Sequence, residues 1–381
     1  MNDILVLSAS RTPIGSINGI FANYTAPQLA SKAIADALAK SGVKVEELGE
    51  VVLGCVIPAG IGQAPARMAA IAAGIPVCVG ATTVNKVCGS GMKAVMMVSQ
   101  GIALGEQDFG LAGGMESMSK APYLLDKARS GYRYGDAKLL DAVLRDGLVD
   151  PYDGVHMGDC GELCAKEHGL TREMQDAWAV RSYERAQEAV AKGWFKSEIV
   201  AIDGIELDEE PGRAKLDKIG KLRPAFQKDG TITAANASKL NDGAAALVLS
   251  SAKGASGKNP LARVVGWATH SQEPKWFTTA PAGAVDKLLK KVGWTVDCVD
   301  LFEVNEAFAV VTLAVAKLAN LPHEKVNVHG GAVALGHPLG ASGARILVTL
   351  INALKIRGGK RGIAGICLGG GEAVAIALEL V

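Results

Sequence analysis

Apolar positions near the start of the chain fall into two spacings. Ile4–Ser8 is a short apolar run of strand length. Between Pro27 and Lys40, Leu29, Ala33, Ile34, Ala37 and Leu38 recur on one helical face, and Gly42 follows them as a stop signal. Further strands are expected at Val51–Leu53, behind Glu46-Glu47, and in a run ending at Val84-Asn85. Cys88-Gly89-Ser90-Gly91 then opens a helix from about Met92 to Leu104. A strand near Phe109–Ala112 runs into Gly113-Gly114-Met115-Glu116.

The second half repeats this order. Leu261–Trp267 is the strand, Pro281–Lys291 the helix, Gly293 its stop, and Asp300–Val304 the next strand. Val326-Asn327 echoes Val84-Asn85. Gly340-Ala341-Ser342-Gly343 echoes the turn at Cys88 and opens a helix to about Leu354. Gly362–Cys367 is the last inner strand and runs into Gly369-Gly370-Gly371-Glu372. The repeat of these landmarks points to a duplicated unit. Each half alternates strand and helix, so an α/β architecture is expected, with a mixed, largely parallel sheet covered by helices in each half.

The region between the halves differs. It is more charged and carries Tyr123, Tyr132, Tyr134, Tyr152 and Tyr183. Arg172–Ala191 reads as a long amphipathic helix, and Asp203–Asp229, with Pro211, Gly212 and Pro224, as loop. Asp242–Ser250 reads as a strand returning to the first half, and the Gly- and Ser-rich Ser251–Pro260 as a linker. The expected division is 1–117 for the first half, 118–239 for an inserted loop domain, 240–260 for the return strand and linker, and 261–381 for the second half.

Composition narrows the class. At 381 residues with 49% hydrophobic and 21% charged positions, the chain is an ordinary globular sequence with room for two or three domains. A net charge of +1 lacks the field of a nucleic-acid binder. Forty-six glycines favour tight turns and close backbone approaches. A long charge-free run, Arg67 to Lys86, contains Gly74, Pro76, Gly80 and Asn85, so no membrane span is expected there. Met1–Val6 reads as strand rather than signal peptide, and Glu379-Leu380-Val381 is no peroxisomal tripeptide. Seven dispersed cysteines suit a reducing compartment, so a cytoplasmic location is expected.

Strand, glycine turn and helix place the Cys88 sulfur at a helix N-terminus. There the macrodipole and free N–H groups favour a thiolate nucleophile; the bland alternative is a small buried turn residue. His337, among many glycines, can serve as a base toward a thiol or a donor to an oxyanion. Cys367 alone would read as a buried structural cysteine, but the repeat brings its strand end toward Cys88. Asn305 follows a strand and opens a helix, where N-capping is its ordinary use. His156, Cys160, Cys164 and His168 recur every fourth residue like metal ligands. On one helix the first and last lie ~18 Å apart, so a single ion cannot reach them all and no metal site is expected.

Five blocks together resemble the thiolases: Cys88-Gly89-Ser90-Gly91-Met92-Lys93; Gly113-Gly114-Met115-Glu116-Ser117-Met118-Ser119; Asn305-Glu306-Ala307-Phe308-Ala309; Gly336-His337-Pro338-Leu339-Gly340-Ala341-Ser342-Gly343; and Cys367-Leu368-Gly369-Gly370-Gly371. Arg11-Thr12-Pro13-Ile14-Gly15 also matches, and the likeness spans essentially the whole chain. It implies the thiolase fold: two βαβαβαββ halves, layered α-β-α-β-α, with an inserted loop domain. Lys127–Arg133 looks like the loop that joins dimers into homotetramers in the branch that condenses two acetyl-CoA molecules.

The same resemblance implies the roles. Cys88 would carry the acyl group as a thioester. His337 would activate it and help hold the thioester oxygen of the second acetyl-CoA. Cys367 would take the methyl proton. Asn305 would hold a water completing one oxyanion hole, and the N–H groups of Cys88 and Gly369 would form the other. The chemistry needs both holes, because it passes through an enolate and a tetrahedral intermediate. Coenzyme A would lie along Leu148, His156, Met157, Ala225, Phe226, Ala234, Ser238, Leu240, Ala307 and Phe308. Arg213, at a spacing two residues shorter than the family pattern, and Lys218, where serine is common, would stand near its adenine end. His329 stands where asparagine is common. The expected partners are acetyl-CoA, acetoacetyl-CoA and CoA as substrates, with no tightly bound cofactor. Trp276-Phe277, Met157 and Met115 suggest a small or flat acyl pocket. Two alternatives are a degradative 3-ketoacyl-CoA thiolase of broader chain length and a non-catalytic lipid carrier of the same shape.

Overall fold

The computed structural model describes residues 3–381; Met1 and Asn2, which begin the strand-like run Met1–Val6, lie outside the described residues. The first half holds β1 (Ile4–Arg11), a two-residue β2 (Gly15–Ser16), α1 (Ala26–Ser41), β3 (Glu50–Gly54), α2 (Pro65–Ala72), β4 (Gly80–Val84), α3 (Ser90–Leu104) and β5 (Phe109–Ser117). The inserted region holds a short hairpin, β6 (Tyr123–Leu124) with β7 (Leu140–Asp141), then α4 (Met157–His168) and α5 (Arg172–Ala191). β8 (Asn241–Ser251) returns to the first half. The second half holds β9 (Ala262–Ser271), α6 (Ala280–Val292), β10 (Leu301–Val304), α7 (Ala309–Leu318), the single turn α8 (Ala332–Leu335), α9 (Leu339–Arg357), β11 (Arg361–Leu368) and β12 (Glu372–Leu380).

Most strands run longer than their apolar cores suggested, because ladder pairing carries them past the last hydrophobic residue; β10 instead starts one residue later than expected. β5 takes in the whole Gly113–Glu116 block, and each of those residues pairs with β8. Val326 makes only an isolated parallel bridge to Phe302, so the echo of Val84 survives as one residue pair.

Strand order reads β10-β11-β12-β9-β1-β8-β5-β3-β4. Neither half is largely parallel. In the first, β3 pairs parallel with β4 and β5, while β8 pairs antiparallel with β5 and β1. In the second, β10 and β11 are parallel, while β12 is antiparallel to β11 and β9. The final strand of each unit doubles back between earlier ones, which the sequence pattern does not reveal. Two residue pairs, Leu5↔Arg263 and Val6↔Ala262, join the halves into one sheet path.

Three buried clusters correspond to the layers. α1 and α2 cover one face of the first half, with Leu29, Ile34 and Leu53 among the contacts. α6, α7 and the inserted helices α4 and α5 cover the outer face of the second half. Between the sheets lie α3 and α9, whose Met92, Val95, Val98, Ile346, Leu347 and Leu350 form the central cluster that includes Cys88. By length and composition both stretches could cross a membrane, yet α9 is 89% buried by its own protein. Each such apolar side chain contributes roughly 1.5–3 kcal/mol when fully buried. α5 has the bounds expected for it, and its buried side, Gln175, Trp178, Ala179, Ser182, Tyr183, Ala186 and Ala189, faces the core at helical spacing.

Candidate active site

Cys88 sits on a strained turn between β4 and α3. Val87 has φ +44°, a left-handed conformation that a β-branched residue rarely adopts. Three side-chain bonds hold it there. Asn85 Oδ1 accepts from Val87 N–H at 2.9 Å, and Ser90 Oγ accepts from Lys86 N–H at 2.8 Å while donating to the Val87 carbonyl at 2.6 Å. α3 therefore begins at Ser90, two residues earlier than expected, with Cys88 just ahead of its first turn.

α3 crosses α9 at two glycines. A Cβ on Gly91 would stand 2.9 Å from the Ala344 nitrogen, and one on Gly343 would stand 2.6 Å from the Met92 nitrogen. Only hydrogen fits at either position. This close crossing brings the N-terminal end of each helix to the centre of the molecule.

His337 lies just before α9. Its N–H donates to Asn241 Oδ1 at 2.8 Å. Its Nδ1 is 2.6 Å from Ser342 Oγ, and Ser342 Oγ donates its single proton to the Pro338 carbonyl at 2.8 Å. Ser342 can therefore only accept from the ring, so Nδ1 carries the hydrogen and Nε2 keeps its lone pair. Nε2 has no hydrogen-bond partner among the described residues. Burial, aided by the Arg345 guanidinium, holds the imidazole down at about 3, so it is neutral near pH 7.

Cys88, His337, Cys367 and Gly369 line one narrow cavity with Leu148, Met157, Ser238, Ala307, Phe308, Gly147, Phe277 and Leu339. Its free space is about 40 Å³, room for about three or four waters at ~10–15 Å³ each. Burial pushes the Cys88 thiol up to about 12, against the opposing pull of N–H groups from Cys88 itself and Gly369. The expected resting thiolate is thus corrected: desolvation outweighs the helix terminus, and the thiol is neutral. The N–H groups of Cys88 and Gly369 lie beside the sulfur, next to where the oxygen of an acyl group carried by Cys88 would sit. Burial, together with the neighbouring Cys88, also raises Cys367 far above the ordinary thiol range.

Asn305 is not a helix N-cap. α7 starts at Ala309 with Phe308 in the cap position, because Asn305, Glu306 and Ala307 form a tight bend in which Ala307 N–H donates to the Asn305 carbonyl at 3.0 Å. The Asn305 side chain is wholly buried, and neither its oxygen nor its nitrogen has a protein partner. It does not line the cavity, although Ala307 and Phe308 of the same bend do.

The remaining expected residues extend outward. His156 and Phe226 rings meet at a tilt with centroids 4.7 Å apart, and Phe226 meets Phe308 edge-on at 6.0 Å, forming an aromatic wall toward the cavity. His156 Nδ1 accepts from Gly158 N–H at 3.0 Å and so caps α4. That bond, with Cys160 and Cys164 buried in the core, gives the four-residue Cys/His stripe a structural use. Ala225 is exposed at the loop surface, and Leu240 packs against the central cluster. Arg213, Lys218 and Ala234 line a second cavity of about 300 Å³ with Tyr183, Glu210 and Lys239. There Arg213 is already engaged, donating to Ser16 Oγ and Glu209 Oε1 at 2.9 Å each. His329 is fully buried and stacks on Trp194 at 4.8 Å, away from both cavities.

Of the four residues expected around the acyl group, Phe277 and Met157 line the cavity; Trp276 and Met115 do not. Sequence reasoning missed Gly147, Leu339, Ser342 and Asn241. Leu339 and Ser342 stand inside the His337 motif already singled out, and the side chains of Ser342 and Asn241 fix His337 rather than face substrate.

Known proteins resemble this chain over its full length. The thiolase N-terminal domain profile matches residues 4–253 and the thiolase C-terminal domain profile matches 258–380. The chain is 51% identical to acetyl-CoA acetyltransferase IA of Candida tropicalis, over 99% of this chain and 97% of that one. It superposes with TM-score 0.96 on the Acat5 thiolase of Ascaris suum in complex with coenzyme A, at 44% identity over all of both chains. The acetyl-CoA acetyltransferase of Bacillus anthracis gives TM-score 0.97 at 41% identity, over 100% of this chain and 99% of that one. The two profiles together cover nearly the whole chain and the relatives match it over their full length, so the chain belongs to the thiolase family.

Proposed function

We propose that the chain is an acetyl-CoA C-acetyltransferase, which reversibly joins two acetyl-CoA molecules into acetoacetyl-CoA and CoA. The carrying observation is one cavity holding two cysteines, a neutral imidazole with a bare Nε2, and two N–H groups beside the Cys88 sulfur. A neutral thiol beside a neutral base calls for proton transfer coupled to attack. Cys88 Sγ adds to the acetyl carbonyl while its proton passes to His337 Nε2. The departing CoA thiolate then takes the proton of Cys367. A thiol so hard to ionise cannot act as a base at rest, but this step leaves it as thiolate beside the His337 imidazolium.

Cys367 now removes a methyl proton from the second acetyl-CoA. The resulting enolate carbon attacks acetyl-Cys88, and the released Cys88 thiolate recovers its proton from His337. Cys88 N–H and Gly369 N–H stabilise the tetrahedral oxyanion. The Asn305 amide, free of protein partners, can hold the water that, with His337, stabilises the enolate. Phe277 and Met157 crowd the cavity beside the two cysteines, which supports a short acyl group above the broad range of a degradative thiolase.

The CoA moiety would run from the cavity along the aromatic wall to Arg213 and Lys218. We also propose a homotetramer. β4 is an open sheet edge on which a second copy can continue the ladder. The β6–β7 hairpin carries a fully exposed Tyr134 and an exposed Leu139, suited to joining two dimers. Seven free cysteines fit a reducing cytoplasm.

Mass spectrometry after acetyl-CoA treatment tests the chemistry. Wild type should gain one acetyl group on Cys88, and Cys88→Ala should gain none and lose turnover. An acetylated, active Cys88→Ala would refute the assignment.

A further inference from the structure

Lys239 takes part in no step described so far. It follows Ser238, which lines the catalytic cavity, and precedes Leu240 and Asn241. Its ammonium donates to Tyr183 Oη at 2.8 Å, to the Ala237 carbonyl at 2.9 Å and to the Val333 carbonyl at 3.1 Å. An ammonium has three N–H donors, so none is left for a ligand. The acids that act on it, Glu210 and Glu306, do so through space rather than by hydrogen bonds.

Val333 belongs to α8, four residues before His337. Its N–H donates to Glu306 Oε2 at 3.2 Å. A buried carboxylate thus grips one side of Val333 and an ammonium the other. Glu306 is itself anchored, accepting from Trp178 Nε1 at 2.9 Å, Ser182 Oγ at 2.7 Å and Asn327 Nδ2 at 2.9 Å. Two residues beyond Lys239, Asn241 Oδ1 accepts from His337 N–H. The 239–241 segment therefore holds the His337-bearing turn at both of its ends.

We infer that Lys239 is a positioning residue for His337: with Glu306 it brackets Val333 and so fixes where the turn presents the imidazole to Cys88. This rests on the acyl-transfer reading of those two residues. The ammonium supplies one N–H to each of its three partners; in the neutral amine the Tyr183 hydroxyl must turn to donate to the nitrogen, and the charge facing Glu210 and Glu306 is lost, so the bracket loosens. Burial lowers the ammonium to about 8 against the pull of Glu210 and Glu306. Tyr183 faces it from α5, and Glu210, Arg213, Lys215 and Lys218 face it across the second cavity. An alkaline fall in turnover near pH 8 is therefore expected of the wild type.

Lys239→Met keeps the stem of the side chain and removes all three donors. The acetyl-enzyme mass, the rate of its formation, kcat and KM from pH 6 to 9.5, and Tm are compared with wild type. The variant should still acetylate Cys88, but at least about tenfold more slowly, since ~1 Å of misplacement can cost ~10²-fold. Its KM should stay within about threefold, and the alkaline fall should vanish. A variant with kcat within twofold of wild type and the same pH profile overturns the inference, even if its Tm drops. Absence of acetyl-Cys88 in the wild type overturns the acyl-transfer reading and this inference together. Should Lys239→Met fail to fold, Tyr183→Phe removes one acceptor of the ammonium and keeps the ring. The alkaline fall should then move to lower pH, and an unmoved profile overturns the inference.

Discussion

Ser342→Ala isolates the tautomer of the base. In the native site Ser342 Oγ must accept from His337 Nδ1–H, because its own proton is committed to the Pro338 carbonyl. Removing the hydroxyl leaves a buried ring N–H unpaired; His337 is only 4% exposed, so water cannot readily replace the partner. An unsatisfied buried donor costs about 1–3 kcal/mol. The ring can avoid that penalty by moving its proton to Nε2, but this abolishes the lone pair needed to take the Cys88 proton. Either way the competent form becomes rarer by that free energy, or roughly 5- to 150-fold at ~1.4 kcal/mol per decade. Ser342 does not line the cavity, so substrate binding should change little. The assay is rapid-mixing release of CoA from acetyl-CoA, which reports formation of acetyl-Cys88, alongside steady-state KM. A fall in the acetylation rate within that range, with KM inside about twofold, is expected. Wild-type acetylation, or a change confined to KM, would mean that Ser342 does not set the tautomer.

Cys367→Ala should still form acetyl-Cys88, yet lose condensation by at least the ~10²–10⁴-fold typical of a general acid–base group; near-normal acetoacetyl-CoA formation would make Cys367 merely structural. The pH profile of kcat/KM should show no acid limb from His337 above pH 5, because a pKa depressed to about 3 keeps the ring neutral and competent there; an essential imidazole titrating between pH 6 and 7 would contradict its burial. For stability the sign is opposite to that of a salt-bridged histidine. A folded-state pKa lowered to about 4 at His329 means that the unfolded chain binds the proton first, so stability is lost as pH falls from ~6.5 toward 4. His329→Asn should flatten that loss in acid-unfolding curves. Deleting Ser130–Tyr134 should convert a tetramer into a dimer in light scattering, and an unchanged mass would free the hairpin from that role.

Much of the architecture was legible in the chain because the duplicated unit states each landmark twice. The Cys88 turn, the strand ending at Cys367 and the glycine-rich run around His337 announce themselves through chemistry that ordinary core packing does not explain. What stayed hidden depends on three-dimensional pairing. Strand direction cannot be read from apolar runs, so the predominance of antiparallel pairs was missed. Asn305 has the local look of a cap, and only the bend through Ala307 disqualifies it. The thiol of Cys88 illustrates two opposed effects: a helix terminus is visible in sequence, whereas the desolvation that overrides it belongs to the finished interior.

The crossing of α3 and α9 bears on how the site keeps its dimensions. Contacts between side chains can relax when a neighbour changes, by rotating a bond or shifting a methyl. At Gly91 and Gly343 backbone meets backbone, so the fulcrum is as stiff as the peptide unit itself. Each helix leads directly from one reacting residue: α3 from Cys88, α9 from His337. The gap between nucleophile and base is therefore gauged by two missing methyl groups at the pivot, while the long apolar flanks of the helices can drift in sequence and volume without altering it.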